Sequence, residues 1–186
     1  MNYIINYFRN EYAFLSNFYR RRIMYDNHLF PSSEHAYHYK KSFDERYQTQ
    51  LMVQEEIDKW NKKMEEAEYL CLVPELTPME AKKYGNWSRL VKKGLHRLDW
   101  FKVSLQIMYD INMAKFTQHK DLQEKLLTTG SSVLIEGNYW NVKFWGKCRK
   151  DQHDPASEWV GENNLGKILM AVRMNIRRLL EENEND

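Results

Sequence analysis

Glycine and proline are scarce in this chain, at 7 and 4 of 186 residues. That scarcity argues against a turn-rich β sandwich or barrel and for a helix-dominated fold. Cysteine is rarer still: Cys71 and Cys148 lie far apart and neither sits in a CxxC, so no disulfide framework or zinc knuckle follows. No apolar run approaches membrane-spanning length, and residues 1–15, studded with Tyr, Asn and Arg, do not read as a signal peptide. A soluble, cytoplasmic protein with no membrane partner is expected. No excess of one charge sign marks a partner either. Lys and Arg number 28 against 26 Asp and Glu, a net charge of +2 with a pI near 8.4, too balanced to name a nucleic-acid binder on charge alone. Basic clusters at Arg20–Arg22, Lys92/Lys93/Arg97 and Lys147–Lys150 read first as solvated faces. His35 and His38 have no third ligand at useful spacing, so neither a metal nor another cofactor is expected.

What the chain has is aromatic side chains: 12 Tyr, 8 Phe and 6 Trp, ample apolar surface for one domain over 1–186. The pattern predicts a mainly α (α+β) fold. A short strand is expected over 3–8, then a loop or bend at Phe14–Tyr19 with Asn17 at its centre. Ile23–Tyr25, Asp26–Asn27 and His28–Phe30 read as a hairpin. Residues 44–70 suggest one or two amphipathic helices, with apolar points at Leu51, Met52, Ile57, Trp60, Met64 and Ala67. Thr77, Pro78 and Glu80 spell a capping box that starts a helix ending at Gly85. Residues 86–98 read as a basic loop or ragged helix. A long amphipathic helix follows from about Asp99, then a shorter one over Asp121–Leu127, a strand at Val133–Ile135, a polar loop with Pro155, and a last helix over Asn163–Leu180 ahead of an acidic tail.

The stretch with the most chemistry is PSSEHAYHYKKSF, 31–43. Ser32 or Ser33 can cap a helix there, and Glu34 sits at the positive end of its dipole. Helical spacing brings Glu34, Tyr37 and Lys41 to roughly one side, with His38 flanking. An acid and an amine two turns apart among aromatic rings can line a pocket; the plain alternative is a dipole-favouring Glu beside a solvated Lys40–Lys41 edge. Further along, Lys115 and His119 share a face that can meet phosphates or simply solvent. Trp100 and the segment Tyr139, Trp140, Phe144 and Trp145 offer stacking faces or core filling. Asn163 and Asn164 before Gly166 can present backbone N–H groups to a phosphate or merely cap a helix.

Six segments in order, FLSNFY (14–19), PSSEHAYHYKK (31–41), TPMEAKKYG (77–85), the run from Asp99 to Gly130, LIEGNYWNVKFWG (134–146) and NNLGKILMAVR (163–173), resemble the NADAR family, which includes the YbiA-like N-glycosidases. The resemblance spans nearly the whole chain apart from an enlarged 44–73 region and the 86–98 loop. It implies a compact, mainly helical domain with a small β element, and hydrolysis of an N-glycosidic bond to a phosphate-bearing ribose. The substrates it implies are ADP-ribose on guanine, as nucleotide or nucleic acid, or phosphoribosylated riboflavin-pathway intermediates. It places Glu34 on the family's catalytic glutamate, Lys41 on the lysine that follows on the same helix, Trp100 on the tryptophan opening the long helix, and Asn17 on the Asn of the SNF segment.

One position departs from the family pattern: Val142 stands where the family has an aspartate three residues before Trp145. If that group stabilises cationic ribose, Asp154, Glu136 or Glu162 must substitute, or the chain is impaired or has become a binder. The chemistry itself needs a carboxylate to carry positive charge or activate water, which suits Glu34. A desolvated amine that attacks an opened ribose suits Lys41, with Lys40 as fallback. The expected function is thus an N-glycosidase, foremost one removing ADP-ribose from guanine. The alternatives are the riboflavin-pathway substrates, a non-catalytic ADP-ribose or NAD-binding module, and a nucleic-acid-interaction protein.

Overall fold

The computed structural model describes residues 3–65, 75–151, 153–154 and 156–184. In chain order it runs β1 (Ile4–Asn6), a 3-10 helix (Asn10–Leu15), β2 (Ile23–Tyr25), β3 (His28–Phe30), α1 (Ser33–Tyr39), α2 (Glu45–Thr49), α3 (Gln54–Glu65), α4 (Pro78–Tyr84), α5 (Trp87–Lys92), α6 (Trp100–Gln118), α7 (Lys120–Thr128), β4 (Val133–Ile135), β5 (Cys148–Arg149), β6 (Trp159–Val160) and α8 (Asn164–Glu184). This is a mainly helical α+β chain whose described sheets are all two-stranded. The sequence reads as one domain over 1–186; the described fold resolves into two compact units, residues 17–107 and residues 1–16 with 108–186. No described helix is long and apolar enough to cross a membrane.

In the 17–107 unit the expected hairpin forms with Ile23 opposite Phe30 and Tyr25 opposite His28. Asp26 and Asn27 both take positive φ, 53° and 60°, the type I′ geometry that matches strand twist. Ile23 and Phe30 are fully buried. Helix α1 begins after Ser32, but Ser32 does not cap it; its hydroxyl pairs with His35 Nδ1 at 2.8 Å. Helix α4 starts on the expected capping box: the Glu80 N–H donates to the Thr77 hydroxyl, and the Thr77 N–H donates to the Glu80 carboxylate. The basic stretch after Gly85 is more ordered than a ragged loop. Asn86 accepts from the Arg89 N–H to start α5. Gly94, at φ 67°, ends it with bonds from Gly94 N–H to Val91 O and Leu95 N–H to Leu90 O, a Schellman closure. Residues 44–65 carry two helices, α2 capped by Asp44 and α3 seated through buried Leu51, Val53 and Ile57. The apolar points read at Met64 and Ala67, as well as Cys71, lie outside the described side chains.

In the other unit β1 and β4 pair in parallel, Ile5 opposite Leu134. Helix α8 covers β4 with Leu165, Leu169, Val172 and Ile176, all buried at helical spacing. The Phe14 bend is a 3-10 helix that buries Phe14 and Leu15, with Phe14 edge-on to Phe116 at 6.3 Å. The polar loop after Gly146 holds the short β5–β6 pair, Cys148 opposite Val160, with the Arg149 guanidinium 4.2 Å from the Trp159 ring. Such two-residue strands leave no periodicity to read.

Lys115 is the most heavily desolvated cation described here. It is 1% exposed and donates from Nζ to Phe14 O at 2.6 Å and Ser16 O at 3.0 Å. Burial pushes its amine down to about 7. The ammonium therefore fastens the segment after the 3-10 helix to α6, at a desolvation cost.

Two stability measurements follow. Asn27→Ala is expected to lower the unfolding free energy in urea by about 1 kcal/mol, because alanine resists the left-handed region, while Asn27→Gly leaves it unchanged. For Lys115 the folded value lies below that of an unfolded lysine, so between pH 7 and 9 the unfolded chain binds the extra proton and stability rises with pH. Lys115→Met is expected to flatten that slope, leaving the Lys41 contribution above about pH 8; equal slopes in both proteins would mean that the amine is not dry.

Candidate active site

Helix α1 is buried along its whole length, residues 33–39, which is unusual for a segment holding one carboxylate and two imidazoles. The carboxylate and both imidazoles each take part in a hydrogen bond, although Ser33 Oγ and one nitrogen of His38 find no partner among the described residues. The Glu34 N–H donates to Asn17 O at 3.1 Å, so Asn17, itself buried, satisfies the first turn through its carbonyl. His35 donates from Nε2 to Leu76 O at 2.8 Å and accepts from Ser32; burial lowers it to about 4, a neutral structural tie.

One turn on, His38 Nε2–H donates to Glu34 Oε1 at 2.9 Å. The imidazole is pushed down by burial and by the Lys41 ammonium, so it serves as a neutral donor. Its Nδ1 is buried with no hydrogen-bond partner among the described residues. Burial alone would raise the Glu34 carboxyl, but the His38 hydrogen bond and the Lys82 and Lys41 charges outweigh it and hold Glu34 ionised.

Lys41, just past α1, is 8% exposed and donates from Nζ to Gly85 O at 3.0 Å. Its amine lies 5.1 Å from the Tyr37 ring centre and 5.6 Å from that of Trp100. Desolvation lowers it to about 8, with the Glu34 carboxylate opposing the shift. Lys40 does something different: it pairs with Asp26 at 2.8 Å on the exposed edge of the hairpin. The structure thus separates Lys41 from its fallback Lys40.

The result is an ionised carboxylate on α1 and a readily deprotonated amine just past its end, walled by Tyr37 and Trp100, whose rings lie 4.9 Å apart. Trp100 offers no open stacking face of the kind expected. It is 4% exposed and contacts Tyr37, the Lys41 amine and, at 6.4 Å, the Trp87 ring.

The remaining candidates lie in the other unit. Lys115 is tied to backbone carbonyls rather than held out toward a phosphate. Asn163 is buried at φ 57°, donating to Leu134 O and accepting from the Glu136 N–H, which ties it to β4. The N–H groups of Asn163, Asn164 and Leu165 donate to Gly146, Phe144 and Trp145 carbonyls. The start of α8 is therefore filled by protein rather than presented to a phosphate, and the Asn164 side chain is spent on Glu162. Trp140 is no core residue: it is 66% exposed, 5.9 Å from the Arg9 guanidinium. Trp145 is half-buried and edge-on to Phe144. Val142 closes a small loop, exchanging backbone hydrogen bonds with the Asn138 amide at 2.9 Å. Of its proposed substitutes, Asp154 is exposed and closes its own turn onto the Ala156 N–H.

Sequence reasoning missed two partners. His38 was visible as the fourth residue after Glu34, the spacing at which helical side chains meet. The packing of Gly85 against His38 left no signal, because the contact is long-range.

Comparison with known proteins gives the family. An N-glycosidase of Nostoc punctiforme is 41% identical over 104 residues, covering 56% of this chain and 58% of that protein. The N-glycosidase YbiA of Escherichia coli is 31% identical over 172 residues, covering 91% of this chain and 86% of that one. A riboflavin biosynthesis protein of Vibrio vulnificus is 31% identical over 88% of this chain, which is 35% of its own length. The NMR structure of Escherichia coli YbiA superposes with a TM-score of 0.67 at 28% identity, covering 98% of this chain and 90% of that one. The NADAR domain model matches residues 6–177. Glu34, Lys41 and Trp100 all fall within that match, and the chain belongs to the NADAR family.

Proposed function

We propose that this protein is an N-glycosidase that hydrolyses the bond between a phosphate-bearing ribose and a base nitrogen, and that its substrate is ADP-ribose attached to guanine. The observation that carries the reading is the buried Lys41 amine just past α1, lowered to about 8, with the ionised Glu34 carboxylate of α1 acting on it. A lowered amine alone does not mark chemistry; beside this one stand a carboxylate that can carry its proton and two aromatic walls. The N-glycosidase names of relatives matched over most of this chain support the reaction class.

With ribose C1 on an exocyclic amine, the C1–O4′ bond opens as O4′ takes a proton from solvent, leaving an iminium at C1. Neutral Lys41 Nζ adds to C1. A proton passes from Nζ to the guanine nitrogen by way of the Glu34 carboxylate, and the C1–N bond to guanine breaks, leaving a Schiff base on Lys41. Water, deprotonated by Glu34, then adds to C1; Glu34 passes that proton to Nζ, the C1–Nζ bond breaks, and the new hydroxyl loses its proton to solvent as the ribose leaves as its aldehyde. The net charge of +2 suits ADP-ribose, which carries two phosphates, over a singly phosphorylated intermediate. A second reading, a non-catalytic ADP-ribose binder, rests on Val142 at the family's aspartate position.

Incubation with guanine-ADP-ribosylated single-stranded DNA, and separately with phosphoribosylated riboflavin intermediates, decides between these. Release of ADP-ribose from the DNA is expected, with Glu34→Gln slower by a factor on the order of 100 or more; undiminished release by Glu34→Gln would sink the assignment. Lys41→Arg is expected to abolish turnover and any borohydride-trapped adduct, since a guanidinium stays protonated. The reactive form of Lys41 is the neutral amine, so turnover should climb as pH rises to about 8 and then level off. A rate that falls over the same range would exclude the amine as nucleophile. Binding of ADP-ribose without any product would favour the binder.

A further inference from the structure

Gly85 ends α4, and glycine in that place normally supplies a left-handed closure. Here it does not: φ is −83° and ψ is 25°, a conformation open to any residue. What the position cannot tolerate is a side chain. A Cβ built on Gly85 would stand 2.2 Å from His38 Nδ1, 2.5 Å from His38 Cγ and 2.8 Å from His38 Cβ. The obstacle is the base and ring of a side chain fully buried in α1, not the free end of a flexible one. The carbonyl of the same glycine accepts the hydrogen bond from Lys41 Nζ.

Resting on the hydrolase reading above, the geometry points to Gly85 as a positioning residue for both candidate catalytic groups. Its bare Cα lets the His38 ring lie where Nε2–H meets Glu34 Oε1, and its carbonyl fixes the Lys41 amine beside the Tyr37 and Trp100 rings. The other bonds of α4 support this placement. The Thr77–Glu80 capping box fixes where the helix starts, and the His35 bond to Leu76 O holds the residue just ahead of that cap. Seven helical residues then set where Gly85 arrives. The segment thus sets where Gly85 meets the site, while Lys82 on the same helix adds its charge to the hold on Glu34.

The test is Gly85→Ala in the full chain, with Met79→Ala, exposed on the same helix, as control. Displacing the catalytic groups by an ångström costs about a hundredfold in rate. Gly85→Ala is expected to lower kcat on that scale with KM little changed, and to move the ring-nitrogen signals of His38 in the 15N-histidine spectrum; Met79→Ala should do neither. Stability gives a second readout. Because the clash is mostly with the ring, the destabilisation by Gly85→Ala should largely vanish on a His38→Ala background. Should the single variant fail to fold, His38→Ala must restore folding in the double variant. An unmoved His38 spectrum, equal destabilisation in both backgrounds, or an unfolded double variant overturns the proposal. If the wild-type protein turns over neither substrate class, the hydrolase reading fails, while the spectrum and the stability cycle still decide the role of Gly85.

Discussion

Helix α4 is bracketed by two hydrogen bonds from α1: His35 to the carbonyl of Leu76 just before it, and Lys41 to the carbonyl of Gly85 at its end. The candidate site depends on this clamp. A seven-residue helix is too short to persist by its own propensity, so α4 owes its place to the capping box and to those two long-range bonds. In return it takes up polar groups that α1 could not otherwise bury. An imidazole and an ammonium lying dry beside a helix are expensive. The carbonyls at both ends of α4 offset part of that expense, and the remainder is what tunes the Lys41 amine.

The other unit uses the same device for a different end. Lys115 is buried as deeply as Lys41 and lowered further, yet its partners are the Phe14 and Ser16 carbonyls and the only cause of its shift is burial. Lys41 differs in having a carboxylate that opposes the shift and two aromatic walls. A lowered amine is therefore no mark of chemistry by itself. What separates the two lysines is the presence of a proton carrier, Glu34, for one and fixed carbonyl acceptors for the other.

The parts of this architecture set by local chemistry were readable in the sequence. Asp26–Asn27 announced their hairpin turn, Thr77–Pro78–Glu80 their helix start, and the apolar spacing of 99–116 its long helix, because each is decided within a few residues. Glu34 and Lys41 were legible as a pair for the same reason. The use made of Ser32, Asn163 and Trp100 was not. Each was assigned a generic role, as cap, cap and stacking face, and each is claimed by a partner distant in sequence or by burial: Ser32 works with the His35 tie to Leu76, Asn163 spans to β4, and Trp100 is enclosed by Tyr37 and Trp87. Trp140 was open between core filling and a stacking face, and nothing local says that a tryptophan will be left 66% exposed. The basic stretch after Gly85 hid a helix because charge obscured the Asn86 cap and the Gly94 closure.

The neutrality of His38 completes the electrostatic logic of the site. A cationic imidazole between Glu34 and Lys41 would strengthen the hold on the carboxylate, but it would also add a second positive charge in a dry pocket and drive the amine further down. A neutral ring supplies the hydrogen bond without the charge. Burial enforces that neutrality, and Gly85 leaves room for the ring to lie close enough to donate. Glu34 then remains ionised while Lys41 stays within reach of both protonation states near neutral pH. Two groups meant to exchange a proton through a substrate need opposite resting charges and a small gap between them. Without its partners burial would raise the Glu34 carboxyl, and without Glu34 the Lys41 amine would be lowered further. Each is kept useful by the other, and the arrangement holds only while the one uncharged donor between them stays uncharged.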